Sequence, residues 1–145
     1  MNKISYKLIF SLLLFGAVLS CKKDKNNGNS NIQNQAVNID IYPADPQFST
    51  TIGVPGGWVY LTGGVKGIIV YRKSQTDFVA YERSCTYDPN TNMLLKVLSD
   101  NVTVKDSACG SKFLILDGSV TQGPAAQSLK AYGTTYDGNL LHIYN

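Results

Sequence analysis

From Val37 onward, apolar residues come in short runs, some alternating and some continuous, and Gly, Pro, Asn and Asp break them before any run reaches helix length. No stretch keeps a helical period for more than about two turns. The pattern predicts strands near Val37–Tyr42, Trp58–Leu61, Gly67–Lys73, Phe78–Arg83, Leu94–Leu98, Lys112–Leu116, Ser119–Thr121, Lys130–Tyr136 and Leu140–Tyr144, which is an all-β domain. Its punctuation fits hairpins: Gly63-Gly64 precedes one strand, Asp117-Gly118 separates two, and Asp137-Gly138-Asn139 divides the last pair. Pro43, Pro46 and Pro55 fall between runs, where a missing N–H breaks no ladder. Trp58 and the nine tyrosines read first as core and cross-strand packing, and only second as a sugar- or peptide-binding face.

The amino-terminal segment follows another pattern. Lys3 and Lys7 precede an apolar run, Leu8–Leu19, that is shorter than the about 20 residues needed to cross a bilayer. Residues 1–20 are therefore expected to be a signal peptide. Val18-Leu19-Ser20 directly before Cys21 resembles a bacterial lipobox, and that resemblance implies diacylglycerol on the Cys21 thiol and an acylated amino terminus. Two or more acyl chains on one residue anchor a protein stably in membrane lipid. The expected location is the bacterial cell envelope, with the outer membrane the favoured surface. Residues 21–36 are polar and rich in Asn, too poor in apolar groups to fold, and read as the lipidated cysteine and a flexible tether. The folded domain is expected over 37–145.

Charge then loses its first meaning. The chain carries +3 over its 145 residues, but with the signal segment and the whole tether, its three lysines and Asp24, set aside, residues 37–145 carry −1. No basic face or Arg-rich helix remains, so no nucleic-acid partner is expected. Catalytic spacing is missing too: there is no G-x-S-x-G or P-loop, Glu82 is the single glutamate and His142 the single histidine. The chain is not expected to be an enzyme.

One stretch carries more information. It reads Cys85-Thr86-Tyr87, eighteen residues, Asp106-Ser107-Ala108-Cys109-Gly110-Ser111-Lys112-Phe113, and later Gly118-Ser119 and Gly123-Pro124-Ala125. This resembles the signature of Rieske iron–sulfur domains, C-x-H followed by C-x-x-H-G-S-x-F and a downstream G-P-A. The resemblance covers about residues 55–145. It implies a β-sandwich carrying a small loop subdomain, with Cys85–Pro89 and Asp106–Lys112 as the two loops that would face a cluster. Aligned on Gly110-Ser111-Lys112-Phe113, the first cysteine is kept as Cys85, the first histidine becomes Tyr87, the second cysteine becomes Asp106 and the second histidine becomes Cys109.

A Rieske centre takes two thiolates on one iron and two imidazoles on the other. The vestigial positions Cys85, Tyr87, Asp106 and Cys109 lack that set, so no cofactor is expected, and the chain reads as a binding or structural module with an unidentified envelope partner. The alternative is an electron-transfer protein with a [2Fe–2S] cluster or another metal at the same tip. With Cys21 assigned to lipid, Cys85 and Cys109 are the cysteines left in an oxidising compartment, and the facing loops implied by the resemblance suggest a disulfide between them. A single metal ion held by Cys85, Cys109 and Asp106, with Tyr87 nearby, is the competing reading. His142 reads as a sheet residue.

Overall fold

The computed structural model describes residues 31–145. The expected signal peptide and Cys21 lie outside the described residues. Ten strands and one short helix make up the fold: β1 (Asn38–Ile41), α1 (Pro46–Ser49), β2 (Trp58–Leu61), β3 (Ile68–Arg72), β4 (Phe78–Glu82), β5 (Lys96–Val97), β6 (Thr103–Lys105), β7 (Lys112–Leu114), β8 (Val120–Gln122), β9 (Ala131–Tyr136) and β10 (Leu141–Tyr144). No helix among the described residues is long and apolar enough to cross a membrane.

Six strands form one antiparallel sheet in the order β1-β10-β9-β4-β3-β2, and four form a second, β5-β6-β7-β8. The larger sheet is joined at its middle by a short pairing of β4 with β9, Ala80 to Tyr132 and Tyr81 to Ala131. It folds over there. Gly63, just after β2, packs against Ile39 of β1, although those strands end opposite edges of the pairing order.

The alternation within β3 and β4 explains the layering. Ile68, Val70, Phe78 and Ala80 face a first core inside the folded sheet, shared with Ile41, Tyr132, Leu141 and Ile143. Ile69, Tyr71 and Tyr81 face the other way into a second core with Leu95, Val104, Phe113, Ile115 and Leu129. All five residues of β3 are buried for this reason, the apolar run Ile68-Ile69-Val70-Tyr71 reading as a strand covered on both faces, with Arg72 at its end. The small sheet is thus fastened to the outside of β3 and β4, and the loops at its end carry Cys85 and Cys109.

Two differences from the sequence expectation bear on the site. Strand β6 was not expected; its Thr103-Val104-Lys105 follows a turn in which Asp100 Oδ1 accepts the N–H groups of Val102 and Thr103, and Asn101 takes a positive φ of 59°. Asn is the non-glycine residue that best tolerates that region. The end of the expected tether is also packed: Ile32 is buried, Lys130 Nζ donates to the Gln33 carbonyl, and Asn145 Nδ2 donates to the Gln35 carbonyl.

Candidate functional site

Three segments build the tip. The first leaves β4 through Glu82, which is fully buried; its carboxylate accepts the N–H groups of Val65 (2.7 Å) and Lys66 (2.9 Å) and the Tyr132 hydroxyl (2.6 Å). Burial and that contact push the Tyr132 phenol well above its ordinary range. Arg83 follows, its guanidinium 3.6 Å over the Tyr60 ring and its Nε donating to the Leu95 carbonyl. The chain entering Cys85 is held on both sides.

The second segment leaves the unexpected strand β6 directly into Asp106. Asp106 N–H donates to the Ser111 carbonyl and Gly110 N–H to the Asp106 carbonyl, closing a tight loop whose last turn places Gly110 at φ 81°. The third, around the cis Gly123–Pro124 peptide, braces the other two: Ala125 N–H donates to Ser111 Oγ (2.9 Å) and Thr86 Oγ1 to the Gln127 carbonyl (2.8 Å). That is what the G-P-A element does here.

Between these segments lie Cys85, Asp106 and Cys109, whose ligand-type atoms all fall within 4.8 Å of one another. Cys85 and Asp106 are each 1% exposed, and Cys109 is half-buried. The two sulfurs stand 3.7 Å apart, and Cys109 Sγ lies 3.5 Å from Asp106 Oδ2 and 3.0 Å from Ser111 Oγ. Burial and the contact with Asp106 push the Cys85 thiol up to about 12, against the pull of the Tyr87 and Asp88 amides. For Asp106, burial acts upward, but hydrogen bonds from Cys85, from the Ala108 N–H (2.7 Å) and from Cys109 hold the carboxyl below its usual range.

The disulfide expected between Cys85 and Cys109 is not formed; both cysteines are free. Sulfurs 3.7 Å apart touch without bonding, since a disulfide is about 2.05 Å long. Cys109 Sγ is turned toward Asp106 and Ser111 instead. The sequence supplied the proximity and missed the side-chain direction.

The other singled-out residues lie elsewhere or outward. Tyr87 is 56% exposed. His142 sits on β10 with Nδ1 2.5 Å from Asp40 Oδ1 and its ring stacked on Tyr144, so it faces the β1 side of the large sheet. Trp58 and Tyr60, rings 4.8 Å apart, line an open groove of about 550 Å³ with Thr50 and Asn101, and no acid, basic side chain or thiol borders it. Ser111 was quoted in the sequence motif without a role; its burial and its contact with Cys109 give it one, and the serine between a turn glycine and a core-bound strand was the signal for it.

No family model matches the chain, and no curated protein matches it. Solved structures do. A cyanobacterial plasma membrane Rieske protein from Synechocystis is similar over 73% of this chain and 97% of its own, at 20% identity and a TM-score of 0.52. The ferredoxin of carbazole 1,9a-dioxygenase from Nocardioides aromaticivorans aligns over 76% of this chain and 97% of its own, at 13% identity and a TM-score of 0.49. The first likeness, with the strand architecture above, shows a nearly all-β, Rieske-like fold. The residues at the tip do not make the donor set of a Rieske centre, which needs imidazoles on one iron, and the single histidine of the chain is bound to Asp40.

Proposed function

We propose that this chain is a lipid-anchored protein of the bacterial cell envelope in which a Rieske-like fold, without a [2Fe–2S] cluster, serves as a binding or structural module rather than an enzyme. The observation that carries the reading is the contact at the tip. In the family's frame Cys85 would face one iron and Cys109 the other, whereas their sulfurs, 3.7 Å apart, are spaced as two ligands of a single metal atom, which supports the reading. Tyr87, exposed where an imidazole would be, adds no soft donor. The anchoring half of the proposal rests on the lipobox-like sequence before Cys21.

Anaerobic reconstitution with iron and sulfide tests the first half. Thiolate–iron bonding gives visible charge-transfer absorption and a rhombic signal on reduction, and the unmodified protein is expected to show neither. The triple variant Tyr87→His, Asp106→Cys, Cys109→His restores the ligand set on loops of the right shape and is the form expected to take up a cluster. Uptake of about two irons by the unmodified chain with that spectrum would instead establish the second reading, an electron-transfer protein, which has the fold likeness in its favour. For the anchor, Cys21→Ala should move the protein from the membrane to the soluble fraction, because three nearby lysines attract a membrane only weakly. Unchanged membrane association of that variant would remove the lipoprotein reading.

A further inference from the structure

We infer that the tip binds a single thiophilic metal ion, zinc in the first instance, through Cys85 Sγ, Cys109 Sγ and one carboxylate oxygen of Asp106, with the fourth position left to water. The inference rests on the cluster-less reading of the tip, since the same donors cannot serve two irons as well.

Distances carry it. Zinc bound to thiolates at about 2.3 Å and to a carboxylate at about 2.0 Å, with tetrahedral angles, requires about 3.8 Å between two sulfurs and about 3.5 Å between a sulfur and an oxygen. The tip provides 3.7 Å between Cys85 Sγ and Cys109 Sγ, and 3.5 Å between Cys109 Sγ and Asp106 Oδ2. All three donors lie within 4.8 Å of one another, so the third edge, from Cys85 Sγ to the Asp106 carboxylate, has to shorten by at most about 1.3 Å for them to be three corners of one coordination tetrahedron.

Charge points the same way. Asp106 is 1% exposed, and among the described residues the one ion pair joins His142 to Asp40, so a buried carboxylate stands beside two thiols with no cationic side chain paired to it. Burying a carboxylate without a counter-charge is costly, and a divalent cation would supply that charge. Thiolates select zinc and other soft ions over magnesium and calcium, which prefer all-oxygen sites.

The surrounding groups are arranged as supports for such ligands. The Ala108 N–H donates to Asp106 Oδ1, leaving Oδ2 directed at Cys109. Backbone amides of Tyr87 and Asp88 donate toward Cys85, while Ser111 donates its N–H to Cys109 Sγ (3.5 Å), and its Oγ, which accepts from the Cys109 thiol at 3.0 Å, is placed to donate in turn once that thiol is a thiolate. Amide and hydroxyl donors stabilise thiolates and fix their direction. The group is half-open on the Cys109 side, flanked by exposed Ser107 and Ala108, which is an entry path for the ion.

The test uses the full-length protein, purified under reducing conditions and titrated separately with Zn²⁺ and Co²⁺. One zinc per chain is expected, and cobalt should give the ligand-field bands of a tetrahedral site together with a sulfur-to-cobalt charge-transfer band. Cys85→Ser with Cys109→Ser should abolish the charge-transfer band. Asp106→Asn keeps the acceptor for Ala108 and both sulfurs, so the band should persist while affinity falls by about 100-fold or more, since losing a ligand costs at least as much as losing an outer-shell partner of one. Zinc should also slow alkylation of Cys109 in the unmodified chain, a readout independent of how well any variant folds. Failure to bind zinc or cobalt, cobalt bound without the charge-transfer band, or equal binding by the double serine variant would overturn the inference while leaving the cluster-less reading in place. Uptake of about two irons with labile sulfide would overturn both.

Discussion

The two faces of the β3–β4 wall end in polar groups that are buried to a similar depth and used in opposite ways. On the first-core side, Glu82 gives its carboxylate to two backbone N–H groups and a tyrosine hydroxyl, and Arg72, 7% exposed, donates to the carbonyls of Ile52, Gly53, Ser74 and Gln75. Their hydrogen-bonding capacity is consumed by the fold. On the second-core side, the side chains of Cys85, Asp106 and Cys109 turn toward one another, and their supports come from backbone amides and Ser111. The difference teaches that burial alone does not mark a site. What marks it is whether buried donors converge on a shared point after the backbone has been satisfied.

The largest expected effect comes from testing whether the two faces are one unit. Phe113 is fully buried in the second core and returns the chain to it after the Asp106 loop. Phe113→Ala should cost about 3–5 kcal/mol, as large aromatic truncations do. Because β3 and β4 line both cores, the loss should appear as one shifted unfolding transition in chemical denaturation, seen alike by far-ultraviolet dichroism and tyrosine fluorescence. A separate early transition confined to one probe would show that the small sheet melts on its own and that the faces are independent.

How much of this the sequence disclosed follows from the range of the interactions. Strands β2, β3, β4, β9 and β10 were legible because alternation and glycine-rich turns are local signals, and the Asp106–Phe113 part of the Rieske-like signature announced the Asp106–Lys112 loop through Gly110 and Phe113. Strand β6 was missed because its Thr103-Val104-Lys105 is too short to show a period, yet it is what delivers Asp106 to the two cysteines. The pairing of Cys85 with Cys109 was readable as proximity, while the 3.7 Å separation depends on Ser111 and Asp106 orienting Cys109, which no spacing along the chain encodes. The clasp at Glu82 was equally hidden, since its partners lie 16 to 50 residues away.

A glycine in each region sharpens the contrast at lower cost. Gly64 has φ 61°, and a Cβ there would lie 2.4 Å from both Glu82 Oε2 and the Tyr132 hydroxyl. Gly64→Ala therefore combines left-handed strain with a clash into a satisfied buried network, and we expect a loss of about 3 kcal/mol from the two effects together. Its stability measured against the unmodified chain checks this. A loss below about 1 kcal/mol would mean that the clasp relaxes freely and that the first-core side is less rigid than its hydrogen bonds imply.

The smallest effect is expected at Gly110, and it isolates backbone from packing. Gly110 has φ 81°, but nothing lies within 4 Å of where a Cβ would stand. Gly110→Ala meets no side chain, so the change should cost only the strain of an alanine in the left-handed region, about 1–2 kcal/mol. Both hydrogen bonds closing the loop, from Asp106 N–H to the Ser111 carbonyl and from Gly110 N–H to the Asp106 carbonyl, can persist through that change. The loop should keep its shape, and the contact between Cys109 Sγ and Ser111 Oγ should survive with it. Zinc affinity of Gly110→Ala within about threefold of the unmodified chain, beside a measurable drop in stability, is the expected pair of results, since the strain is present in both metal-free and metal-bound forms and cancels from the binding free energy. A drop in affinity as large as that expected for Asp106→Asn would show that the alanine moves Cys109, and that the openness around Gly110 is not tolerance.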